Sequence, residues 1–312
     1  MRSSRLPVAA AVLLVAGGLL SGCAGVPGFG GPCEPIASGD ASNLIEADGE
    51  LGSEPEVDFP TPLVAKSAER TVLEQGEGEE LRSGAVADIE YSILNGATGE
   101  VLGASDYADG PGARFTVDET AQTLGEALRC AQAGSRLAVA TTAADVYGPG
   151  GLEQAGIDDD ATLVFVVDVE RTWLGKADGV NQLPADGMPT VVTAVDGTPG
   201  VVVPAEAAPS EARSSTIKAG DGAVVREDDD IVLHYSSFSW PAEVGEKPSA
   251  QDSSWGQSPI TYTVSNDAEF GEDVAEALVG ATVGSQLLVV VPGQDAGATI
   301  FVLDILGVES DD

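Results

Sequence analysis

Along residues 72 to 91, VLEQGEGEELRSGAVADIEY, a glycine-bearing polar turn leads into apolar and polar positions that alternate up to a tyrosine. Alternation with period two predicts a half-buried β-strand. The pattern returns without a gap in TIKAGDGAVVREDDDIVLHY (216 to 235), where Gly76 matches Gly220, Gly78 matches Gly222 and Tyr91 matches Tyr235. Further on, EALRCAQAGSRLAVA (126 to 140) aligns with EALVGATVGSQLLVV (276 to 290), and ATLVFVVDV (161 to 169) with GATIFVLDI (297 to 305). The chain therefore contains an internal repeat. Each copy predicts a strand ending at the tyrosine, a variable loop and a second strand (RFTV or TYTV). One short helix follows (TLGEALRCAQ or DVAEALVGA), its last turn closed by Gly134 or Gly284, and then two further apolar strands. Many strands with one helix predict an α+β fold of two units, each an antiparallel sheet wrapped around one short helix.

The copies differ in one place. From Gly134 to Phe165 is 31 residues, from Gly284 to Phe301 only 17, so fourteen are missing from the second copy. They correspond to DVYGPGGLEQAGIDDDATLVF (145 to 165), a tyrosine-glycine loop and three aspartates leading into a strand. A loop that one copy does without is an excursion, and such excursions are more often functional than structural. Tyr147, carried by that loop, is hard to explain as a core residue.

At 312 residues and 43% hydrophobic content the chain can hold two domains with real cores. The net charge of −37, from 14 basic and 51 acidic side chains, excludes nucleic acid as a partner and opposes an anionic membrane surface. It reads as a solvated acidic surface, and GEGEE and REDDD as solvated turns. His234 reads as an ordinary strand residue. At the N-terminus, Arg2 and Arg5 precede an apolar run and then LLSGC, a signal peptide too short for a comfortable span. LLSGC resembles the bacterial lipobox, which implies lipidation of Cys23 and a mature protein on the outer face of the cell membrane. Cleavage removes two positive charges and leaves −39. Residues 23–55 read as an acidic tether, 56–176 as the first domain, and 213–309 as the second, with a shortened flap. Between them, the Pro/Gly-rich segment 177–212 reads as a linker in which TVVTAV and GVVV can form short strands. Export permits a Cys33–Cys130 disulfide, with two free thiols as the alternative. No metal-ligand spacing is present and no cofactor is expected.

The ordered motifs, glycine-glycine, HY, DSSW, the helix, VGS, the YG loop and ATLVF, resemble the FKBP-type peptidyl-prolyl cis-trans isomerases, over about 66 to 173 and again over 216 to 308. Lipobox, tether and tandem domains together resemble exported lipoproteins of that family. The resemblance implies a shallow apolar pocket between sheet and helix, lined with aromatic side chains. In the first copy it places Tyr91, Phe115, Tyr147 and Phe165 on aromatic positions and Ile157 on the flap, with Tyr147 expected to hydrogen-bond the substrate carbonyl. Leu124 stands at the pocket-floor tryptophan, Leu102-Gly103 at a Phe-Asp pair, and Asp158-Asp159 at two flap prolines. In the second copy Tyr235, Asp252, Trp255, Tyr262 and Phe301 match, Val274 is the floor, Gln251 replaces a phenylalanine, and the flap tyrosine is absent. Turning an X-Pro bond needs no nucleophile, and no Ser/His/Asp or Cys/His set is present, which excludes hydrolase readings. Two functions follow as expectations. One is a weak, lipid-anchored prolyl isomerase acting on proline-containing segments of unfolded or exported proteins. The other is a non-catalytic chaperone or binding module on the same fold.

Overall fold

The computed structural model describes residues 33–107, 112–117, 122–241, 243–265, 269–293 and 297–309, with the Gln122 side chain excepted. The expected signal peptide and Cys23 lie outside them. Among the described residues no helix is long and apolar enough to cross a membrane.

The chain opens with a 3-10 turn, Ser42–Leu44, and a hairpin of β1 (Glu46–Asp48) and β2 (Glu56–Asp58). The first repeat supplies β3 (Glu69–Glu74), β4 (Val86–Asn95), β5 (Val101–Ala104), β6 (Ala113–Thr116), α1 (Gln122–Leu128), β7 (Ser135–Thr142), α2 (Ala143–Tyr147) and β8 (Thr162–Trp173). Next come β9 (Val180–Asn181), β10 (Thr190–Thr193) and β11 (Pro199–Val202), the last two a hairpin. The second repeat supplies β12 (Arg213–Ala219), β13 (Asp230–Ser239), β14 (Ser249–Ser253), β15 (Ile260–Thr263), α3 (Glu272–Leu278), β16 (Gln286–Pro292) and β17 (Ala298–Val308).

Among the described residues all strand pairing is antiparallel. One sheet has the order β3-β7-β8-β4-β5 with β6 also on β4; the other has β14-β13-β17-β16-β12-β9 with β15 also on β13. The repeats share their irregularities as well as their order. Register shifts fall at Val72/Glu74 and Thr216/Lys218, at Asp88/Ile89 and Val232/Leu233, and at Ile93/Leu94 and Ser237/Phe238.

The expected fold class is corrected by this architecture. Antiparallel strands in four sheets dominate, with three short α-helices among the described residues, two of them in the first repeat. Nor is each sheet simply wrapped around a helix, because both of its faces are buried. On the helix side of the first sheet, Leu124, Ala127 and Leu128 pack with Ile89, Leu137, Phe165 and Val167. On the opposite face Ala41, Ile45, Phe59, Leu63 and Ala65 cover Leu94, Ala138, Ala140, Val164 and Val166. The second sheet repeats the arrangement: Val274, Ala275 and Leu278 lie on one face, while Met188, Val191, Val201 and Val203 lie against the layer of Phe238, Leu288, Val290 and Ile300. An antiparallel sheet often leaves one face to water; here the chain just before each repeat supplies a second layer. Ala41, Ile45 and Ala47 of the segment read as a tether, and Met188, Val191, Val201, Val203 and Ala208 of the linker, belong to those layers.

A buried aspartate pins each layer to its sheet. Asp168 on β8 takes two hydrogen bonds of 2.6 Å from Arg136 and one of 2.8 Å from the Gly52 N–H, while Arg136 also donates to the carbonyls of Gly49 and Glu50. Asp304 on β17 takes one of 2.7 Å from Gln286 and one of 2.9 Å from the Ala177 N–H. Without a guanidinium beside it, burial raises the Asp304 carboxyl above its ordinary value.

The helix ends are also corrected. α1 stops at Leu128, followed by Cys130 at φ 65°, and α3 stops at Leu278, followed by Gly280 at φ 85°. Gly134 and Gly284 sit instead in the turns entering β7 and β16. Cys130 is bonded to Cys33, 97 residues earlier. The repeats meet through Arg114 on β6, which holds Asp88 at 2.7 Å and Glu309 at 2.5 Å, while the Trp173 indole donates to Asp88.

Candidate functional site

On the helix side of the first sheet, beside α1, lies an aromatic cluster. Its floor is Phe165 on β8, 3% exposed, and Leu124 on α1, 8% exposed, backed by Val139 and Val167. Tyr91, Phe115, Val146, Leu152 and Ile157 stand partly buried around them. The Tyr91 and Phe115 rings meet edge to face, centroids 6.4 Å apart, the arrangement their quadrupoles favour. Five of the seven residues expected in this copy are thus together. Tyr147 reaches the rim, 46% exposed. Leu102 does not join them: it is 41% exposed on the outermost strand, β5.

The loop after α2 is built to hold Tyr147. The Thr142 hydroxyl caps α2 by accepting from the Asp145 N–H, and the Thr123 hydroxyl ties α1 to the Asp145 carbonyl at 2.6 Å. Gly148 leaves the helix at φ 76°, a region that favours glycine, and a Cβ at Gly151 would strike the Tyr147 backbone. Asp159 closes the loop from the far side. Its carboxylate accepts from the Gly150 N–H at 2.7 Å and its carbonyl from the Ala144 N–H at 3.0 Å. Asp159 therefore fixes the loop through hydrogen bonds from both its carboxylate and its carbonyl.

Two phenols are left uncommitted. Among the described residues neither the Tyr91 nor the Tyr147 hydroxyl has a hydrogen-bond partner. Partial burial, and then the nearby Tyr91, raise the Tyr147 phenol above its ordinary value, so it stays a neutral donor at physiological pH. The site thus offers an apolar floor, an aromatic wall and O–H donors at the edge. That chemistry suits a short apolar segment with a carbonyl to satisfy.

The second copy differs. Tyr235, Tyr262, Val274 and Phe301 share one cluster, with Val274 fully buried. The Tyr235 hydroxyl donates to Asp252 at 2.6 Å, which pushes Tyr235 up to about 12 and holds Asp252 below its ordinary value. Trp255 is not brought into this cluster. It stacks on His234, centroids 4.2 Å apart, on the other side of the strand, and its ring lies against the Gly197 turn of the covering hairpin. Against the cluster packs the partly buried Phe270, a residue not expected from the sequence, stacked on Tyr262 and close to Tyr235 and Phe301. Its only sequence signal is an aromatic just before Gly271, the N-cap of α3.

The cysteines present no thiolates: Cys33 and Cys130 lie near Glu80, but their sulfurs are consumed in the disulfide.

No family model matches the chain, and no curated protein matches it. Among solved structures it is similar to the three FKBP domains of wheat FKBP73, at 14% identity and TM-score 0.33, over 78% of this chain and 96% of that one. It is also similar to FkpA from Escherichia coli, at 23% identity and TM-score 0.30, over 34% of this chain and 47% of that one. A third is a peptidyl-prolyl cis-trans isomerase from Pseudomonas syringae pv. tomato, at 20% identity and TM-score 0.28, over 35% and 77%. Scores this low carry no argument, and the functional reading rests on the residues.

Proposed function

We propose that the protein is an exported, lipid-anchored peptidyl-prolyl cis-trans isomerase whose working pocket lies in the first repeat. Its clients are proline-containing segments of unfolded or exported proteins. One observation supports this most: an apolar cluster built on Phe165 and Leu124 carries, beside it, two phenols with no partner among the described residues. Rotation about an X-Pro bond crosses a barrier of about 18–20 kcal/mol because amide resonance is lost in the twisted state. The twisted amide has a more basic nitrogen and a less polarised carbonyl, and it sits more comfortably in an apolar pocket than the planar form does in water. Phe165, Leu124 and the Tyr91 and Phe115 rings supply that pocket, and the Tyr147 hydroxyl holds the carbonyl as the rest of the chain turns. No group has to ionise. Leu124 at the floor offers no N–H donor, which accords with a modest rate.

The test is cis/trans exchange on short Leu-Pro and Phe-Pro peptides, followed by NMR with the purified protein. Exchange is expected to accelerate, and Tyr147→Phe is expected to lower the gain about tenfold, the worth of one hydrogen bond near 1.4 kcal/mol. Bound peptide without accelerated exchange would overturn catalysis and leave a binding module.

A further inference from the structure

The two repeats carry the same aromatic trio but use the enclosed space differently. In the first, Tyr91 and Phe115 stand 6.4 Å apart edge to face, and among the described residues no third ring lies between them. In the second, the partly buried Phe270 packs against all three rings. Its centroid is 4.8 Å from Tyr235, 4.9 Å from Tyr262 with the planes 12° apart, and 5.3 Å from Phe301. It therefore touches every aromatic wall of the pocket at stacking distance. Two further features agree with a closed site. The Tyr235 hydroxyl is committed to Asp252 at 2.6 Å, whereas its counterpart Tyr91 is free among the described residues. The tyrosine-bearing loop that frames the first pocket is missing from this copy.

We propose that Phe270 is a built-in occupant of the second pocket, so that prolyl segments enter the first repeat alone. Its removal would uncover an apolar cavity for one small aromatic molecule. The first clause rests on the isomerase reading; the second does not. The physical reason is concentration. A side chain tethered just before the N-cap of α3 competes at a high effective concentration and loses no overall translation on packing, whereas a free peptide must pay that cost and displace the ring as well. The space left among the Tyr235, Tyr262 and Phe301 rings would be walled by aromatic faces, which favour a small aromatic guest such as benzene.

The experiment follows aromatic-ring resonances of the whole protein. With a Leu-Pro peptide, the Tyr91, Phe115 and Tyr147 rings are expected to shift and those of Tyr235, Tyr262 and Phe301 to stay fixed. With benzene, the wild type is expected to show no change in the second set, and Phe270→Ala a saturable one at a single site. Movement of the Tyr235, Tyr262 or Phe301 rings in the wild type with either probe would overturn the proposal. So would a folded Phe270→Ala protein that ignores benzene. Should that variant not fold, Phe270→Val, which leaves a smaller void, decides the same point. A silent first repeat with peptide would instead sink the isomerase reading, leaving the benzene result to decide on Phe270.

Discussion

The single histidine of the chain gives a sharp check on how the second sheet is covered. His234 is 5% exposed, stacked on Trp255 with planes 21° apart, and its Nδ1 lies 2.8 Å from the Ser254 hydroxyl. Burial lowers its pKa from 6.5 to about 4. The folded protein thus binds this proton less readily than the unfolded chain, and lower pH favours unfolding. The contribution is fully present above pH 6.5 and is lost as pH falls toward 4. Over that whole window the loss comes to about 3 kcal/mol, of which about 2 kcal/mol is gone by pH 5. Asp304 acts with the opposite sign: its raised pKa adds stability as pH falls, so a bulk stability curve mixes the two. The histidine ring proton avoids that mixture, since one residue gives one resonance. Titrated in the folded protein, it is expected to hold its neutral position down to pH 5 and move only near pH 4. Urea unfolding at pH 7.5 and pH 5 should show the wild type losing about 2 kcal/mol more than His234→Gln. A folded-state pKa of 6 or above would refute the reasoning, because it would mean that water reaches the ring and Trp255 does not seal it.

Other predictions concern the first repeat. Arg136→Gln, which installs the residue found at the same place in the second repeat, strands the buried Asp168 and frees two carbonyls. It is expected to cost about 3–5 kcal/mol in urea unfolding, and a loss under 1 kcal/mol would show the ion pair to be dispensable. Asp159→Ala removes the acceptor of the Gly150 N–H on an exposed loop. Stability should fall by about 1 kcal/mol at most, while KM for a Leu-Pro peptide rises, and unchanged kinetics would show that the loop holds Tyr147 without it. Tyr147→Phe, at a half-exposed rim, should leave the urea midpoint unchanged; a large shift would make Tyr147 a packing residue.

That Tyr91, Phe115, Leu124, Ile157 and Phe165 would lie together was legible because alignment of the repeats carries positional information. Tyr91, Phe115 and Phe165 occur at matched places in strands whose alternation fixes the side on which they fall, and Leu124 and Ile157 follow from the helix and loop between them. Leu102 lies apart from the others because β5, an outermost strand, is exposed at Val101, Leu102 and Ala104 alike. Trp255 lies apart for a different reason: it follows the strand in a turn, where alternation no longer assigns a side. Phe270 could not be found by matching, since the aligned residue of the first repeat is Thr120 and occupancy of a pocket is a fact of three dimensions. The covering layers carry no period because they are hairpins and single apolar contacts among Gly, Pro and acids. Their trace in the sequence lies elsewhere, in TLVFVVDV, whose unbroken apolar run marks a strand buried on both faces instead of alternating.

The position of those covering layers has a consequence for the nascent chain. A protein emerges from the ribosome N-terminus first and tends to fold domain by domain as it does so. Residues 41–65 are therefore outside and waiting before β3 is made, and 188–203 before β12. Each sheet closes against a partner already present, so Leu94, Val164, Leu288 and Ile300 need not face water while the rest of the chain is still being synthesised. With the layers placed after their repeats, the same contacts would leave every newly made sheet bare until the end of its domain.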